Sequence, residues 1–287
     1  MAKILMNTLQ PRIDAHMHWW TIRRDDYGWL TPNLPALYGD FGAAEAEPLL
    51  AAGHIDGVIL VQAAPTEAET QYLIELAQSR PYVRGVVGWA DLYDAARLEV
   101  LARDQLLVAV RPMLEDLPAA DWILQPELAP AVRLLEDLGL PFEALIKPHH
   151  LPVIRELLER YPRLRITIDH AAKPDISVRS MLPWKTDLAA VAKLPTVACK
   201  LSGLATEAKY GAALRDFVPY VDAVFALFGP ERVIWGSDWP VLIERLDYLT
   251  WLEWAEQLCS DLTPDSRASV FGGNAERFYA RRSVKAM

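Results

Sequence analysis

The chain has 287 residues, 52% of them hydrophobic, with 29 Lys and Arg against 38 Asp and Glu, for a net charge of −9. That length buries a large core without staples, and Cys199 and Cys259 make neither a disulfide framework nor a cysteine zinc site. The acidic balance argues against a nucleic-acid or anionic-membrane partner. Apolar runs such as 57–64 fall short of the ~20 residues a membrane helix needs. Residues 1–10 show no secretory leader, so a cytoplasmic protein is expected.

Short apolar runs alternate with amphipathic stretches along the whole chain. Candidate strands fall at 12–16, 57–62, 83–89, 108–111, 142–146, 165–169, 197–201 and 232–235. The longest (GVILVQ, RGVVGW, RITID) are continuous and rich in β-branched residues, as strands buried on both faces are. Helices are expected over 66–78, where Thr66 and Glu69 have capping-box spacing, and over 152–160, 214–228, 246–259, 264–270 and from 275. Gly229-Pro230 stops the third of these. Eight strand–helix units of about 36 residues predict an α/β fold, a single (β/α)8 barrel forming one domain over residues 1–287. A doubly wound sheet is the competitor. It would place a Gly-rich phosphate turn after the first strand, and Asp14-Ala15-His16-Met17-His18 is not one.

Barrels of this kind carry functional groups at the C-terminal ends of their strands. Five of the six histidines fall there: His16 and His18 on the first strand, His149 and His150 after the fifth, His170 after the sixth. Only His54 precedes a strand. Residues i and i+2 of a strand share a face, so His16 and His18 can bind one metal or grip one substrate oxygen; alone, the pair is a weak signal that reads more readily as ordinary packing or surface. Asp238 follows the last strand in Trp235-Gly236-Ser237-Asp238-Trp239-Pro240. A partly desolvated carboxylate there has raised proton affinity and suits a general base, against the plainer reading of a turn aspartate.

Substrate contacts are expected from other strand ends and loops. Gln62 both donates and accepts. Arg111, before Pro112, serves either a substrate oxygen or a structural ion pair. Lys173 and His150 are further candidates, as are Tyr27 and Trp29 on the long loop after the first strand. Six of the ten tryptophans (Trp19, Trp20, Trp29, Trp89, Trp184 and Trp239) map to the same end, which predicts an aromatic-walled mouth suited to a polyol ring.

In order, Ile13-Asp14-Ala15-His16-Met17-His18, Ile168-Asp169-His170 with Lys173-Pro174, Lys200-Leu201-Ser202-Gly203, Trp235-Gly236-Ser237-Asp238-Trp239-Pro240 and Gly273-Asn274-Ala275 resemble the amidohydrolase superfamily over essentially the whole chain. The match is to its amidohydrolase-2 branch of sugar-lactone and pyrone-dicarboxylate lactonases, and within it to L-fuconolactone hydrolases. The resemblance implies a TIM barrel of amidohydrolase type with His16, His18, His170 and Asp238 as its catalytic set. It implies one divalent ion, Zn²⁺ or Mn²⁺, on His16, His18 and Asp238, or a metal-independent site. Lys147-Pro148-His149-His150 does not reproduce the two-metal pattern. The implied reaction opens a small sugar-acid lactone to the free acid: Asp238 activates water, and His16, His18 and His170 stabilise the oxyanion. Two alternatives in the same superfamily stay open. One is a lactonase for 2-pyrone-4,6-dicarboxylate or muconolactone, whose carboxylates call for several arginines; the other is a metal-dependent decarboxylase. A non-catalytic sugar-binding barrel is the reading from another class. The residues specify neither the lactone's stereochemistry nor the oligomeric state.

Overall fold

The computed structural model describes residues 10–281; the stretch read as lacking a leader lies outside them up to residue 9. Eight parallel strands pair in chain order: β1 (Ile13–Met17), β2 (Gly57–Val61), β3 (Val83–Gly88), β4 (Leu107–Val110), β5 (Phe142–Ala144), β6 (Ile166–Ile168), β7 (Val197–Leu201) and β8 (Val233–Trp235). The sheet curls back on itself beyond β8. Asp238 N donates to His16 O (2.8 Å) and His18 N to Trp239 O (2.7 Å), so the first and last strands are joined at their C-terminal ends. The result is the expected (β/α)8 barrel. Strand ends differ from the sequence reading by one or two residues, chiefly because Gln62, Trp89, Arg111, Ile146 and Asp169 already belong to the loops that build the site.

Ten α-helices are described: α1 (Ala43–Ala52), α2 (Glu67–Gln78), α3 (Ala95–Leu101), α4 (Ala129–Leu138), α5 (Leu151–Arg160), α6 (Trp184–Ala192), α7 (Leu214–Phe228), α8 (Tyr248–Leu258), α9 (Pro264–Ala268) and α10 (Asn274–Tyr279). The sequence reading omitted α1, α3, α4 and α6. The Thr66–Glu69 box is half made. Thr66 Oγ1 accepts from Glu69 N (3.1 Å), but the Glu69 carboxylate turns into the loop and accepts from Ala63 N (2.9 Å) and Ala64 N. No helix among the described residues is long and apolar enough to cross a membrane.

Two features of the frame aim the site. In β1, Asp14 pairs with Val58 and Met17 with Leu60, so β1 carries one extra residue against β2. Such a bulge re-aims side chains. Asp14 accepts from Ser237 N and from the Tyr248 hydroxyl of α8, whereas His16, two residues on, meets Lys200 of β7. At the opposite end, α10 brings Ala275 and Tyr279 against Ile13, Ile59 and Ile234. Asn274 holds this segment by donating to Pro230 O and Val233 O, both at 2.7 Å.

Candidate active site

The residues after β1, β6 and β8 converge. His16 Nε2 lies 3.2 Å from His18 Nε2, His18 Nε2 lies 3.3 Å from Asp238 Oδ1, and His16 and His170 Nε2 lie 3.6 and 3.8 Å from that same oxygen. All four side chains are buried. His170 opens a turn in which four consecutive non-glycine residues, His170 to Lys173, have φ between 49° and 59°. Each left-handed residue costs on the order of 1 kcal/mol or more. The turn presents His170 and Lys173 to one cavity, and His170 Nδ1 is tied to Ser202 Oγ at 2.9 Å. Gly203 is required behind it, because a Cβ there would collide with the His170 ring. A Cβ on Gly236 would stand 2.6 Å from that of His16.

The partners assign the protons. His18 Nδ1 donates to Val61 O (2.8 Å), so neutral His18 turns a lone pair on Nε2 toward the cluster. His16 Nδ1 accepts from Lys200 Nζ (3.0 Å), which leaves its proton on Nε2, facing His18 and Asp238. Burial pushes His16 well below its usual value, helped by Lys200 and the neighbouring histidines. Burial also lowers His170, against the pull of Asp238 and Asp169. Asp238 departs from the sequence expectation. Burial raises its proton affinity, but His170, His18 and Lys173 together outweigh that and hold it below the ordinary carboxylate value. It is an ionised acceptor at neutral pH.

Beneath the histidines lies a second buried layer that sequence reasoning saw only in part. Lys200 Nζ contacts Glu143 Oε2 (2.7 Å) and Asp169 Oδ1 (3.4 Å); Asp169 Oδ2 accepts from Arg111 Nη1 (3.1 Å); Tyr279 donates to Glu143. Burial raises Asp169, yet Lys200 and Arg111 reverse the shift and keep it ionised.

A cavity of about 270 Å³ opens above the cluster, lined by His18, His170, Asp238, Arg111, Lys173 and Trp29 among others. Gln62, Tyr27 and His150 do not line it. Gln62 Nε2 donates to Arg111 O (2.8 Å), Tyr27 is buried beside Glu69, and His150 stacks on His149 at 3.9 Å. The aromatic mouth is also a correction. Trp29 lines the cavity with its indole N–H on Ala63 O (2.7 Å), but Trp19, Trp20, Trp184 and Trp239 are packed into the core. Large indoles near strand ends have more apolar area to bury against the helices than a mouth can offer. The acidic lining residues missed from sequence are Glu115, Asp116 and Glu244. Their one signal was position, in the loops after β4 and β8.

Two overlapping groups among the described residues could hold a metal ion: His16, His18 and Asp238, and His16, Asp169 and His170. Asp169 is already committed to Arg111 and Lys200. The first group fits one divalent ion, since two imidazole nitrogens and a carboxylate oxygen are the usual ligands of an open zinc site.

The amidohydrolase family model matches residues 13–281. The L-fucono-1,5-lactonase of Burkholderia ambifaria is 47% identical over 277 residues, covering 93% of this chain and 95% of that protein. The L-fucono-1,5-lactonase of Burkholderia multivorans is 33% identical, covering 94% and 96%. A solved amidohydrolase from Burkholderia multivorans with bound zinc superposes with a TM-score of 0.90 at 32% identity, covering 95% of this chain and all of that one.

Proposed function

The chain belongs to the amidohydrolase family, and on that premise we propose that it hydrolyses the lactone of a neutral sugar acid, of the L-fucono-1,5-lactone type. The charge pattern of the cavity carries this reading. Both cations that line it already face carboxylates: Arg111 faces Asp169, and Lys173 faces Glu115. Glu115, Asp116, Glu244 and Asp238 make the wall acidic. A dicarboxylate or an aromatic acid would meet more anions than free cations there, whereas a polyhydroxylated lactone needs acceptors and donors without net charge.

Asp238 is the general base. It takes a proton from water as the water oxygen bonds to the lactone carbonyl carbon. The negative charge on the carbonyl oxygen is met by N–H groups of His170 and His16. Collapse breaks the ring C–O bond, and Asp238 returns the proton to the leaving alkoxide, giving the hydroxy acid. His18 turns a lone pair to the cluster, so it accepts or ligates rather than stabilising the oxyanion. His16, His18 and Asp238 would hold one divalent ion, for which His16 needs its proton on Nδ1, toward Asp169 Oδ1 at 3.7 Å, and Lys200 Nζ, 3.0 Å from that nitrogen, would have to give up its hydrogen bond there. A divalent ion held there supplies Lewis-acid polarisation of the carbonyl.

A pH-indicator screen of aldonolactones, with and without exhaustive chelation, tests the reading. Turnover of L-fucono-1,5-lactone is expected, and turnover of no sugar lactone would overturn it. Release of CO₂ from an aromatic acid would favour a decarboxylase.

A further inference from the structure

Lys173 Nζ lies 2.7 Å from Glu115 Oε1, with both side chains at least four-fifths buried and both lining the cavity. The second carboxylate oxygen, Glu115 Oε2, is buried and has no hydrogen-bond partner. A buried carboxylate oxygen without a donor is a costly arrangement, and the side chain that carries it lines the cavity. Lys173 has three N–H donors, one of them directed at Glu115. Neither group is loose. Lys173 ends the left-handed turn that begins at His170, and Glu115 N donates to Leu145 O (3.1 Å), tying the loop after β4 to the end of β5.

We propose that Glu115 and Lys173 form a diol-reading subsite: Oε2 accepts a hydrogen bond from one ring hydroxyl of the lactone while the Lys173 ammonium donates one to the oxygen beside it. The inference rests on the lactone reading above and adds to it the pair that selects a hydroxylated ring. A carboxylate–ammonium pair offers an acceptor and a donor a few ångströms apart with no net charge. That suits vicinal hydroxyls and gives a substrate carboxylate no advantage. Because the same turn holds His170, a ring gripped by the pair is registered against the groups that act on the carbonyl.

The test compares wild type with Glu115→Gln and Lys173→Met on two lactones of one ring size, a polyhydroxylated 1,5-aldonolactone and unsubstituted δ-valerolactone. The aldonolactone should lose about 10- to 100-fold in kcat/KM, mostly through KM, as expected for a lost hydrogen bond to a charged group. Its loss should exceed that of δ-valerolactone by tenfold or more. Competitive inhibition by a 1,5-anhydrohexitol, which keeps ring hydroxyls and lacks the carbonyl, should weaken by a similar factor. Equal losses on both lactones, no loss on either, or unchanged inhibition by the anhydrohexitol would each overturn the subsite. Wild-type turnover of aldonolactones in the same assay keeps the reaction class separate from that result.

Discussion

Asp238 is ionised because its neighbours outweigh its burial, and this sharpens what it can do. A carboxylate held below its ordinary value is a weak base in water. As the proposed base it would act on a water bound beside it, against an ester carbonyl polarised by imidazole N–H groups. Its backbone has φ 62°, and its own N–H is bonded to His16 O, so a left-handed residue is held in place by the strand it faces. Asp238→Asn keeps that shape and removes the acceptor charge. It should lower kcat by about 10²–10⁴-fold, the usual share of a general base, with KM changed far less. Steady-state kinetics on L-fucono-1,5-lactone measure this, and near-normal turnover would remove Asp238 from the role. The aspartate and the three histidines were legible in the sequence because strand-end chemistry is a positional signal. Glu115, Asp116 and Glu244 were not, because a carboxylate in a loop looks the same in sequence whether it faces solvent or a cavity.

At the scale of elements, the eight strands were legible because strands covered on both faces write continuous apolar runs. The omitted helices have physical reasons. α1 is an Ala/Glu-rich segment interrupted by Pro48, α3 has 7 residues, and α4 and α6 each begin beside proline. The bulge in β1 and the left-handed turn at 170–173 leave no compositional trace, yet they aim His16, His170 and Lys173. The loop between β2 and α2 yields a prediction of its own. Glu69 is buried, accepts the Ala63 and Ala64 N–H groups, and is pushed by burial up to about 7 from an ordinary 4.5. The folded state therefore holds a proton that the unfolded chain has released between those values. The stabilisation is complete below pH 4.5 and is lost as pH rises through about 7, a change on the order of 3 kcal/mol. Glu69→Gln removes this slope. Urea unfolding at pH 5 and pH 8 should show the variant gaining on wild type at the higher pH, and parallel pH dependences would refute the assignment.

For the whole molecule, the barrel is tied at its centre by a buried charge network as well as by apolar packing. Lys200 on β7 is fully buried and touches His16 on β1, Glu143 on β5 and Asp169 after β6, while Tyr279 of α10 reaches Glu143 from below. One ammonium thus links four parts of the barrel wall, and the C-terminal helix joins through the same carboxylate. Desolvating such a group is expensive, and the cost is offset only while every partner is present. Lys200→Met would remove the cation that holds Glu143 down, and burial beside Asp169 would then keep Glu143 protonated. It should cost about 3–5 kcal/mol, the usual penalty for breaking a buried pair. Asp169 keeps Arg111, so the group left without a cation is Glu143. The double variant Lys200→Met/Glu143→Gln has no carboxyl to titrate there, so it should gain stability on the single variant as pH rises from 5 to 8. Urea unfolding of the two variants decides the point. A single variant within ~1 kcal/mol of wild type, or parallel pH dependences for the two variants, would show that the barrel does not depend on this ammonium. The expected outcome would tie the stability of the whole barrel to the cation that also sets the proton on His16, one reason to retain a costly buried charge beneath the site.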